Sequence, residues 1–219
     1  MDFAPLLLSL EIAAIATAIS AVIGVAVGLA LTARRLPARD LFDVVITAPM
    51  VLPPTVLGYY LLVTIGRSSL LGRTFEHLFG SSIVFTRTGA VCAATVGAIP
   101  IVVKSSRAAL DGVDRTLVRA ARTLGASATR AFFTVQLPLA GRPIVASLML
   151  AFARSLGDFG VTLMVAGDIP GETQTASLAI YDAIQAHRDA DALVMVTILT
   201  VAGSGILYVV NKLGGETDV

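Results

Sequence analysis

Two oppositely charged side chains, Arg154 and Asp158, stand four residues apart in an otherwise apolar stretch of this 219-residue sequence. This spacing places them on one face of a helix, where they can form an ion pair. A lone charge in the middle of a bilayer costs roughly 2.5–3.5 kcal/mol on insertion scales, and pairing lowers that cost. The pattern therefore fits a gate or dimer-interface pair that lines a water-filled path. It also fits a pair near the outer interface of the bilayer that only neutralises itself.

Three prolines, Pro49, Pro53 and Pro54, crowd a second apolar stretch. Each one removes a backbone donor and disfavours helical conformation in the residue before it, so a helix here must kink or break. Broken backbone is tolerated in a membrane where it lines a cavity or is buried in protein. We therefore expect these prolines to line a pathway, with a simple packing kink as the alternative.

A polar segment, about residues 113–138, lies between two apolar stretches and has the pattern of two short helices. In the first helix, apolar residues recur at spacings of four, four and three, as an amphipathic helix requires. These residues are Val113, Leu117, Ala121 and Leu124, and three arginines, Arg115, Arg119 and Arg122, point elsewhere. Gly125 follows, and glycine readily adopts the left-handed conformation that ends a helix.

The second helix of this segment begins after Ser127, whose hydroxyl can cap it. Its apolar residues are Phe132, Phe133, Val135 and Leu137, and Pro138 is expected to end it. An apolar ridge beside arginines suits docking into a groove on another protein. An amphipathic hairpin that lies on the inner leaflet, with its arginines against anionic lipids, fits the same pattern.

The sequence lacks the motifs that would give this chain catalytic chemistry of its own. It has no G-x-x-x-x-G-K-[ST] phosphate-binding loop, and neither of its two lysines, Lys104 and Lys212, follows a glycine. His77 and His187 have no Cys or Glu at ligand spacing, so no metal site is expected. The net charge of +1 gives no sign of nucleic-acid binding. We therefore expect a non-catalytic chain that binds no cofactor, metal or nucleic acid.

The elements that must hold these residues are membrane spans. With 56% hydrophobic and 14% charged residues, the chain has too little charge to cover the surface of a soluble domain. Five stretches are apolar and close to the ~20 residues that a bilayer requires. They run from about Leu6 to Thr32, Val44 to Ile65, Thr88 to Val103, Pro143 to Val165 and Ala192 to Val210, and the third is the shortest. We predict an all-α polytopic membrane protein with a single domain over residues 1–219.

The distribution of basic residues predicts the orientation of these spans, because cytoplasmic loops are enriched in lysine and arginine. With the N-terminus outside, the inner segments hold Arg34, Arg35, Arg39, Lys104, Arg107, Arg115, Arg119, Arg122, Arg130, Arg142 and Lys212. The outer segments then hold only Arg67, Arg73, Arg87 and Arg188. We therefore expect a multi-pass cell-membrane protein with its N-terminus outside and its C-terminus and polar hairpin in the cytoplasm.

Two outer segments have amphipathic patterns of their own. The first places Leu71, Phe75, Leu78 and Phe79 on one helical face, and the second does the same for Leu178, Tyr181 and Ile184. Each segment is expected to form a short helix that contacts an external partner or lies on lipid headgroups.

The hairpin resembles the coupling loop of binding-protein-dependent ABC importer permeases, the membrane subunits of type I ABC importers. The pattern of that loop is E-A-A, three residues, G, nine residues, I, any residue, then L-P. This sequence has Ala120-Ala121, Gly125, Val135 and Leu137-Pro138 with every spacing kept, and Arg119 replaces the acidic residue. The resemblance implies that the hairpin inserts into a cleft of a separate ATPase subunit. It leaves the charge contact of Arg119 open.

Further stretches resemble the molybdate permeases within this family, among them PMVLPPTVLGYYLL, LAFARSLGDFGVTLM and IPGETQT. Asp158 stands where a glutamate is usual, which keeps the charge. Asp168 stands where an asparagine is usual, which adds a negative charge on the outer side. The resemblance extends over about residues 6–210 and implies the membrane permease of an ATP-driven oxyanion importer, with molybdate as the expected substrate.

The same resemblance implies a set of partners. They are a second copy of the chain, two ATP-binding cassette ATPase subunits that bind ATP and magnesium, an external substrate-binding protein and membrane lipid. A permease for sulfate, thiosulfate or tungstate is an alternative of the same architecture. A membrane scaffold that docks a cytoplasmic partner without transport is an alternative of another class.

Overall fold

The computed structural model describes residues 3–32 and 39–214, which fold into helices joined by turns. In chain order, helices α1 to α11 are Ala4–Thr32, Arg39–Val51, Pro54–Ile65, Leu70–Phe79, Arg87–Asp111, Arg115–Thr123, Ala128–Ala131, Leu137–Leu156, Gly160–Ala166, Ala176–Gln185 and Asp189–Gly214. A π-helical turn, Phe132–Gln136, joins α7 to α8. No strand occurs within the described ranges, and the predicted all-α class is confirmed.

Four helical stretches are long and apolar enough to cross a membrane: Ala4–Thr32, Arg87–Asp111, Ala128–Leu156 and Asp189–Leu213. Helices α2 and α3 meet the same criterion as a pair, but the pair is bent by 117°. When the pair is counted as one span, the described part of the chain has five spans, which is the number expected from the sequence. The chain is therefore a multi-pass membrane protein.

The core forms where α1 and α5 lie against each other over most of their length. Two glycines permit this approach. A Cβ on Gly24 would lie 2.7 Å from the Val102 Cβ, and one on Gly28 would lie 3.1 Å from the Ser106 Cβ. Small residues at a spacing of four let helix backbones come close together in this way. Helix α8 completes the core by packing against both α5 and α1.

The second predicted span, Val44–Ile65, is broken at its prolines. Helix α2 contains Pro49 and ends at Val51, and α3 begins after Pro53, which is the extended N-cap residue. Pro54 occupies the first position of α3, where its missing N–H would have no helical partner in any case. The kink expected from the prolines is thus a sharp break between two helices.

The third span is longer than predicted. Helix α5 ends at Asp111, whereas the sequence indicated a span over about Thr88–Val103. The helix continues past Lys104 and Arg107, whose charged ends lie 2.6 and 3.3 Å from the carboxylate of Asp43 on α2. The hydropathy pattern places the end of this span at Lys104, because it counts the charge of the lysine but not its pairing with Asp43.

The fourth span was predicted wrongly at both ends, over about Pro143–Val165. The helix starts well before Pro143, which lies inside α8, and it ends at Leu156. A short non-helical segment then separates α8 from α9. Asp158 lies in this segment, and its carboxylate accepts a hydrogen bond from the backbone N–H of Thr162, which satisfies one donor in the first turn of α9.

The first and fifth spans differ from prediction only at their ends. Helix α1 begins at Ala4, two residues before Leu6. Helix α11 runs over Asp189–Gly214, whereas the sequence indicated about Ala192–Val210. In both cases the helix takes in flanking residues that are less apolar than the span itself.

The first amphipathic outer segment forms α4, and its apolar side remains exposed. Ser69 caps the helix, and Gly80 ends it in the left-handed conformation, with φ of 68°. Leu71, Leu78 and Phe79 are exposed. This surface is compatible with both of the contacts expected from the sequence, a partner or lipid headgroups.

The second outer segment forms α10 and belongs to the packed core. Leu178 is fully buried, and the Ala176 N–H donates to the hydroxyl of Ser9 on α1 at 2.8 Å. Tyr181 and Ile184 remain exposed. The predicted helix is therefore present and packs against α1 and α11 through Leu178, while Tyr181 and Ile184 remain accessible to either of the contacts expected from the sequence.

Candidate functional site

The first helix of the hairpin, α6, begins at a charged N-cap. The Asp114 carboxylate accepts a hydrogen bond from the Thr116 N–H at 2.8 Å, which satisfies one donor that a helix start leaves unpaired. Hydrogen bonding from the Thr116 backbone and side chain, and to a lesser degree the charge of Arg119, lowers the pKa of Asp114 below its ordinary value. Asp114 is therefore ionised at neutral pH, and its charge favours the helix N-terminus.

The corner between the two hairpin helices is a Schellman motif built on Gly125. Its φ of 90° lies in the region that favours glycine. The Ala126 N–H donates to the Ala121 carbonyl, and the Gly125 N–H donates to the Arg122 carbonyl, each at 3.1 Å. Ser127 then caps α7 with its hydroxyl. The backbone N–H groups of Gly125 and Ala126 thus both have acceptors, and the predicted position of the turn agrees with the structure.

The second hairpin helix does not end at Pro138, contrary to prediction. Pro138 lies in the first turn of α8, and the helix continues from Ala128 to Leu156. The π turn explains this, because the Leu137 N–H donates to the Phe132 carbonyl five residues back. The wider turn accommodates a proline whose ring would clash with a carbonyl four residues earlier. The hairpin is therefore continuous with the fourth span.

Two contacts anchor the hairpin to the spans. The Gln136 side-chain amide donates to the Leu110 carbonyl at the end of α5 at 3.2 Å. Phe132 packs against the buried cluster of Leu110, Ala140 and Ile144. A displacement of the hairpin must therefore displace α5 and α8 as well, or break these contacts.

The other side of the hairpin is uncovered. Leu124 is 88% exposed, and Leu117 and Phe133 are also exposed. The other two residues of the predicted stripe, Val113 and Ala121, are half-buried. Exposed apolar side chains among exposed arginines form a surface suited to a protein partner.

The residues that match the family pattern divide between the two sides of the hairpin. The exposed ones are Arg119, Ala120, Gly125 and Pro138, and the half-buried ones are Ala121, Val135 and Leu137. Arg119 borders an open groove together with Asp111 and Arg122. Its side chain is thus accessible to a partner that approaches the hairpin.

The predicted pair of Arg154 and Asp158 is present in the membrane part of the chain. Arg154 Nη1 lies 3.0 Å from Asp158 Oδ1. The second carboxylate oxygen of Asp158 accepts hydrogen bonds from the Thr162 N–H at 3.1 Å and the Thr162 hydroxyl at 2.6 Å. Asp158 is only 4% exposed, whereas Arg154 is 40% exposed. The carboxylate is therefore a buried link between α8 and α9, and the arginine is its accessible partner.

The break in the second span lies against the segment that joins α8 to α9. A Cβ on Gly160, at the start of α9, would lie 2.7 Å from the Pro54 Cβ at the start of α3. A Cβ on Gly58 would lie equally close to the Met164 Cβ. The structure thus brings Pro54 to the segment that holds Asp158, whereas Pro49 lies inside α2, four residues before Pro53.

One charged cluster was missed from the sequence. Asp43 of α2 lies 2.6 Å from Lys104 and 3.3 Å from Arg107, and Arg107 also lies 3.9 Å from Asp111. The signal was an acidic residue at the start of one apolar stretch and two cations three residues apart at the end of the next. Their pairing depends on how α2 packs against α5, which spacing along the chain does not determine.

The family model described as "binding-protein-dependent transport system inner membrane component" matches residues 12–213. The chain is 39% identical over 211 residues to the molybdenum transport system permease protein ModB of Escherichia coli (strain K12), covering 96% of this chain and 92% of the relative. It is 43% identical over 185 residues to the protein of the same name from Haemophilus influenzae, covering 84% and 81%.

Among solved structures, the chain is similar to the MetNI methionine ABC transporter in its inward-facing conformations. The TM-score is 0.73, the sequence identity is 15%, and the similarity covers 95% of this chain and 92% of that chain. At this identity the likeness concerns the fold, which is that of an ABC importer permease.

Proposed function

The chain belongs to the family of binding-protein-dependent transport system inner membrane components, and from this membership we propose that it is the permease subunit of an ATP-driven oxyanion importer, with molybdate as its substrate. The exposed hairpin, rigid at Gly125 and anchored to two spans, is the observation that carries the importer mechanism. The substrate is supported by the two relatives, which are named as molybdenum transport permeases and align over most of their length.

As a member of this family, the chain is a transport component and not an enzyme. The ATP and magnesium would be bound by a separate ATPase subunit, in keeping with a sequence that has no phosphate-binding loop. The hairpin would dock into that subunit through Leu117, Leu124 and Phe133, which are exposed and apolar. Arg119 replaces the acidic residue of the family pattern, so it would meet a compensating acidic surface on the ATPase subunit or make no charge contact there.

Two copies of the chain would enclose one pathway. Five spans are few to surround a hydrated anion, and a twofold dimer is the common closed arrangement of identical subunits. The complete importer would then have two permeases, two ATPase subunits and an external substrate-binding protein. The N-terminus of each permease would lie outside the cell, and its C-terminus and hairpin would lie in the cytoplasm, as the distribution of basic residues favours.

Transport would proceed by alternating access. Closure of the ATPase subunits would move the two hairpins, and the hairpins would move α5 and α8 because Gln136 and Phe132 hold these elements together. The pathway would open outward to receive the anion from the binding protein and would return inward after hydrolysis. Such a switch requires that the ATPase state bind one arrangement of the spans better than the other.

The proposal is tested by ATP-dependent uptake of molybdate into vesicles that contain the permease, its ATPase and its binding protein. Molybdate uptake that resists excess sulfate supports molybdate as the substrate. Preferred uptake of sulfate, thiosulfate or tungstate in competition assays would keep the importer and change its substrate. Copurification with an ATPase without any uptake of these anions would instead indicate a docking scaffold.

A further inference from the structure

The Arg154 guanidinium has more hydrogen-bonding capacity than its partner uses. Within the described ranges, 3–32 and 39–214, the Asp158 carboxylate is its one acceptor, through Nη1 at 3.0 Å. The other oxygen of Asp158 is already taken by two hydrogen bonds from Thr162. A guanidinium carries five N–H donors in a planar fork that matches oxyanions. The Nε and Nη2 donors are thus available to a ligand.

This guanidinium lies against the middle of α5, one of the membrane-spanning helices. Arg154 Nη2 would be 3.7 Å from a Cβ on Gly97, so the side chain lies directly over that glycine of α5. Gly97 is ten residues from Arg87 at one end of α5 and fourteen from Asp111 at the other. At 1.5 Å per residue, these separations are about 15 Å and 21 Å. The pair therefore lies away from both ends of α5, which favours a position deep in the span over the outer interface, the other location expected from the sequence.

The depth determines what the exposed part of Arg154 can face. Its side chain is 40% exposed in the single chain, although Asp158 beside it is buried. Contact of a charged group with lipid at this depth is costly, so intramembrane ions face a bundle interior or a water-filled cavity. The exposed side of Arg154 must therefore open onto water or onto a second copy of the chain.

A second paired cation lies on the same strip of α5. Gly97, Ile101, Lys104 and Ala108 follow one another at spacings of four, three and four, so they share one face of the helix. Lys104 is 44% exposed and binds Asp43 at 2.6 Å. The strip thus leads from Gly97, which lies under Arg154, towards the hairpin end of α5. Two cations lie along it, Arg154 over Gly97 and Lys104 further on, and each is paired with a carboxylate.

We propose that Arg154 of each protomer makes the mid-membrane contact with the transported oxyanion, and that Asp158 keeps this contact weak. This inference rests on the proposed function and identifies a residue that determines its selectivity for anions. The free guanidinium donors would replace part of the hydration shell of a tetrahedral dianion. The carboxylate offsets the positive charge, so the anion is attracted without being trapped.

The test measures molybdate uptake and ATP hydrolysis together in proteoliposomes that contain the whole importer. The variant is Arg154→Gln with Asp158→Asn, which removes both charges and keeps an acceptor for Thr162. The matched control is Arg188→Gln with Asp182→Asn, which removes a similarly close pair, at 2.8 Å, between α10 and the exposed turn that follows it. We expect the ratio of molybdate imported to ATP hydrolysed to fall at least about tenfold in the variant, as for loss of a hydrogen bond to a charged group. The control should keep the wild-type ratio.

A second variant has the opposite expected sign. Asp158→Asn alone leaves Arg154 uncompensated, so the permease–ATPase complex without binding protein should bind molybdate measurably in equilibrium dialysis. The wild type and the double variant should not. A structural role for the pair would not create such binding.

The outcomes separate this inference from the proposed function. If the wild type imports molybdate, two results overturn the role of Arg154 and leave the importer intact. One is an unchanged ratio of import to ATP hydrolysis in the Arg154–Asp158 double variant. The other is the absence of molybdate binding by Asp158→Asn. A wild-type complex that imports no oxyanion overturns the proposed function itself. If the double variant does not assemble, Arg154→Lys retains the charge but loses the fork, and an unchanged ratio in that variant also overturns the inference.

Discussion

Single residues set the ends of the hairpin helices, and these were the features best predicted from the sequence. Gly125 and Ser127 have backbone and side-chain preferences that depend on their immediate neighbours, so their roles could be inferred before the structure. Asp114 was not identified as a cap from the sequence, although an acidic residue before a helix is a common cap. Pro138 was misjudged because its effect depends on a π turn that no local preference predicts.

Replacement of Asp114 should loosen the start of α6. In Asp114→Ala, the N–H of Thr116 loses its acceptor, and the amides of the first turn should exchange hydrogen faster than in the wild type. Asp114→Asn keeps an acceptor and serves as the control. Hydrogen exchange of the assembled permease, measured by mass spectrometry over residues 113–119, distinguishes the two variants. Equal exchange in Asp114→Ala and the wild type would contradict the assigned cap.

The pH dependence of this cap follows from the lowered pKa of Asp114. A carboxyl whose pKa is lower in the folded state stabilises that state above its unfolded pKa, and the contribution is lost as pH falls through the folded value. The cap should therefore persist through neutral pH and weaken only in acid. Asp114→Asn should remove this acid sensitivity from exchange of the first turn.

The corner of the hairpin should tolerate only residues that accept positive φ. A Cβ on Gly125 would meet no atom within 4 Å, so the cost of substitution comes from the backbone alone. The left-handed conformation costs a non-glycine residue about 1–2 kcal/mol, and a β-branched residue is a stronger outlier. Gly125→Val should therefore reduce transport-coupled ATP hydrolysis, whereas Gly125→Asn should retain most of it. Unchanged coupling in Gly125→Val would show that the corner is not required.

Whole elements were predicted well where hydropathy alone decides them and poorly where partners decide them. The first and fifth spans needed only small adjustments because their apolar runs are uninterrupted. The third span was drawn too short, since Asp43 compensates its cations from another helix. The break after α8 was missed because Asp158 stands four residues after Arg154. This spacing fits a helix that continues through both residues as well as an acidic residue that accepts a hydrogen bond from the start of the next helix.

The contact between the start of α3 and the start of α9 should be sensitive to a single methyl group. A Cβ on Gly160 would lie 2.7 Å from the Pro54 Cβ, so one of the two breaks must shift to accept it. Overpacking of this kind typically costs about 1–3 kcal/mol. Gly160→Ala should therefore lower the melting temperature of the purified permease complex.

A matched control for this change lies in α11. A Cβ on Gly203 would meet no atom within 4 Å, so Gly203→Ala should leave the melting temperature unchanged or raise it slightly. A Gly160→Ala variant as stable as Gly203→Ala would show that α3 and α9 do not approach as closely as described.

At the scale of the whole molecule, the family and the fold could be inferred from the hairpin pattern, whereas the packing between spans could not. The coupling pattern combines spacing, position and a missing phosphate loop in one chain, and the matching family model covers the same region. The meeting of Pro54 with Gly160, and of Arg154 with Gly97, joins residues that are far apart in sequence. Nothing in the local pattern of either residue identifies its partner.

The proposed orientation can be tested by labelling with a membrane-impermeant thiol reagent. Cys92 is the only cysteine in the sequence, so Cys92→Ala provides a background without thiols. In that background, Thr123→Cys in the hairpin should react only from the cytoplasmic side, and Thr74→Cys in α4 only from the outside. Both positions are exposed. Labelling of Thr123→Cys in intact cells would show that the orientation is opposite to the proposed one, and it would remove the basis for ATPase docking.

The helix that continues from Ala128 through the π turn to Leu156 fixes the rotational phase between the hairpin and Arg154. Each residue of an α-helix advances the direction of its side chains by about 100°, so one residue inserted between these points would turn the guanidinium far from Gly97. Seven inserted residues, about two full turns, would nearly restore its direction but raise it by about 10 Å. The register of this one helix would therefore set where along the proposed anion route the ATPase acts.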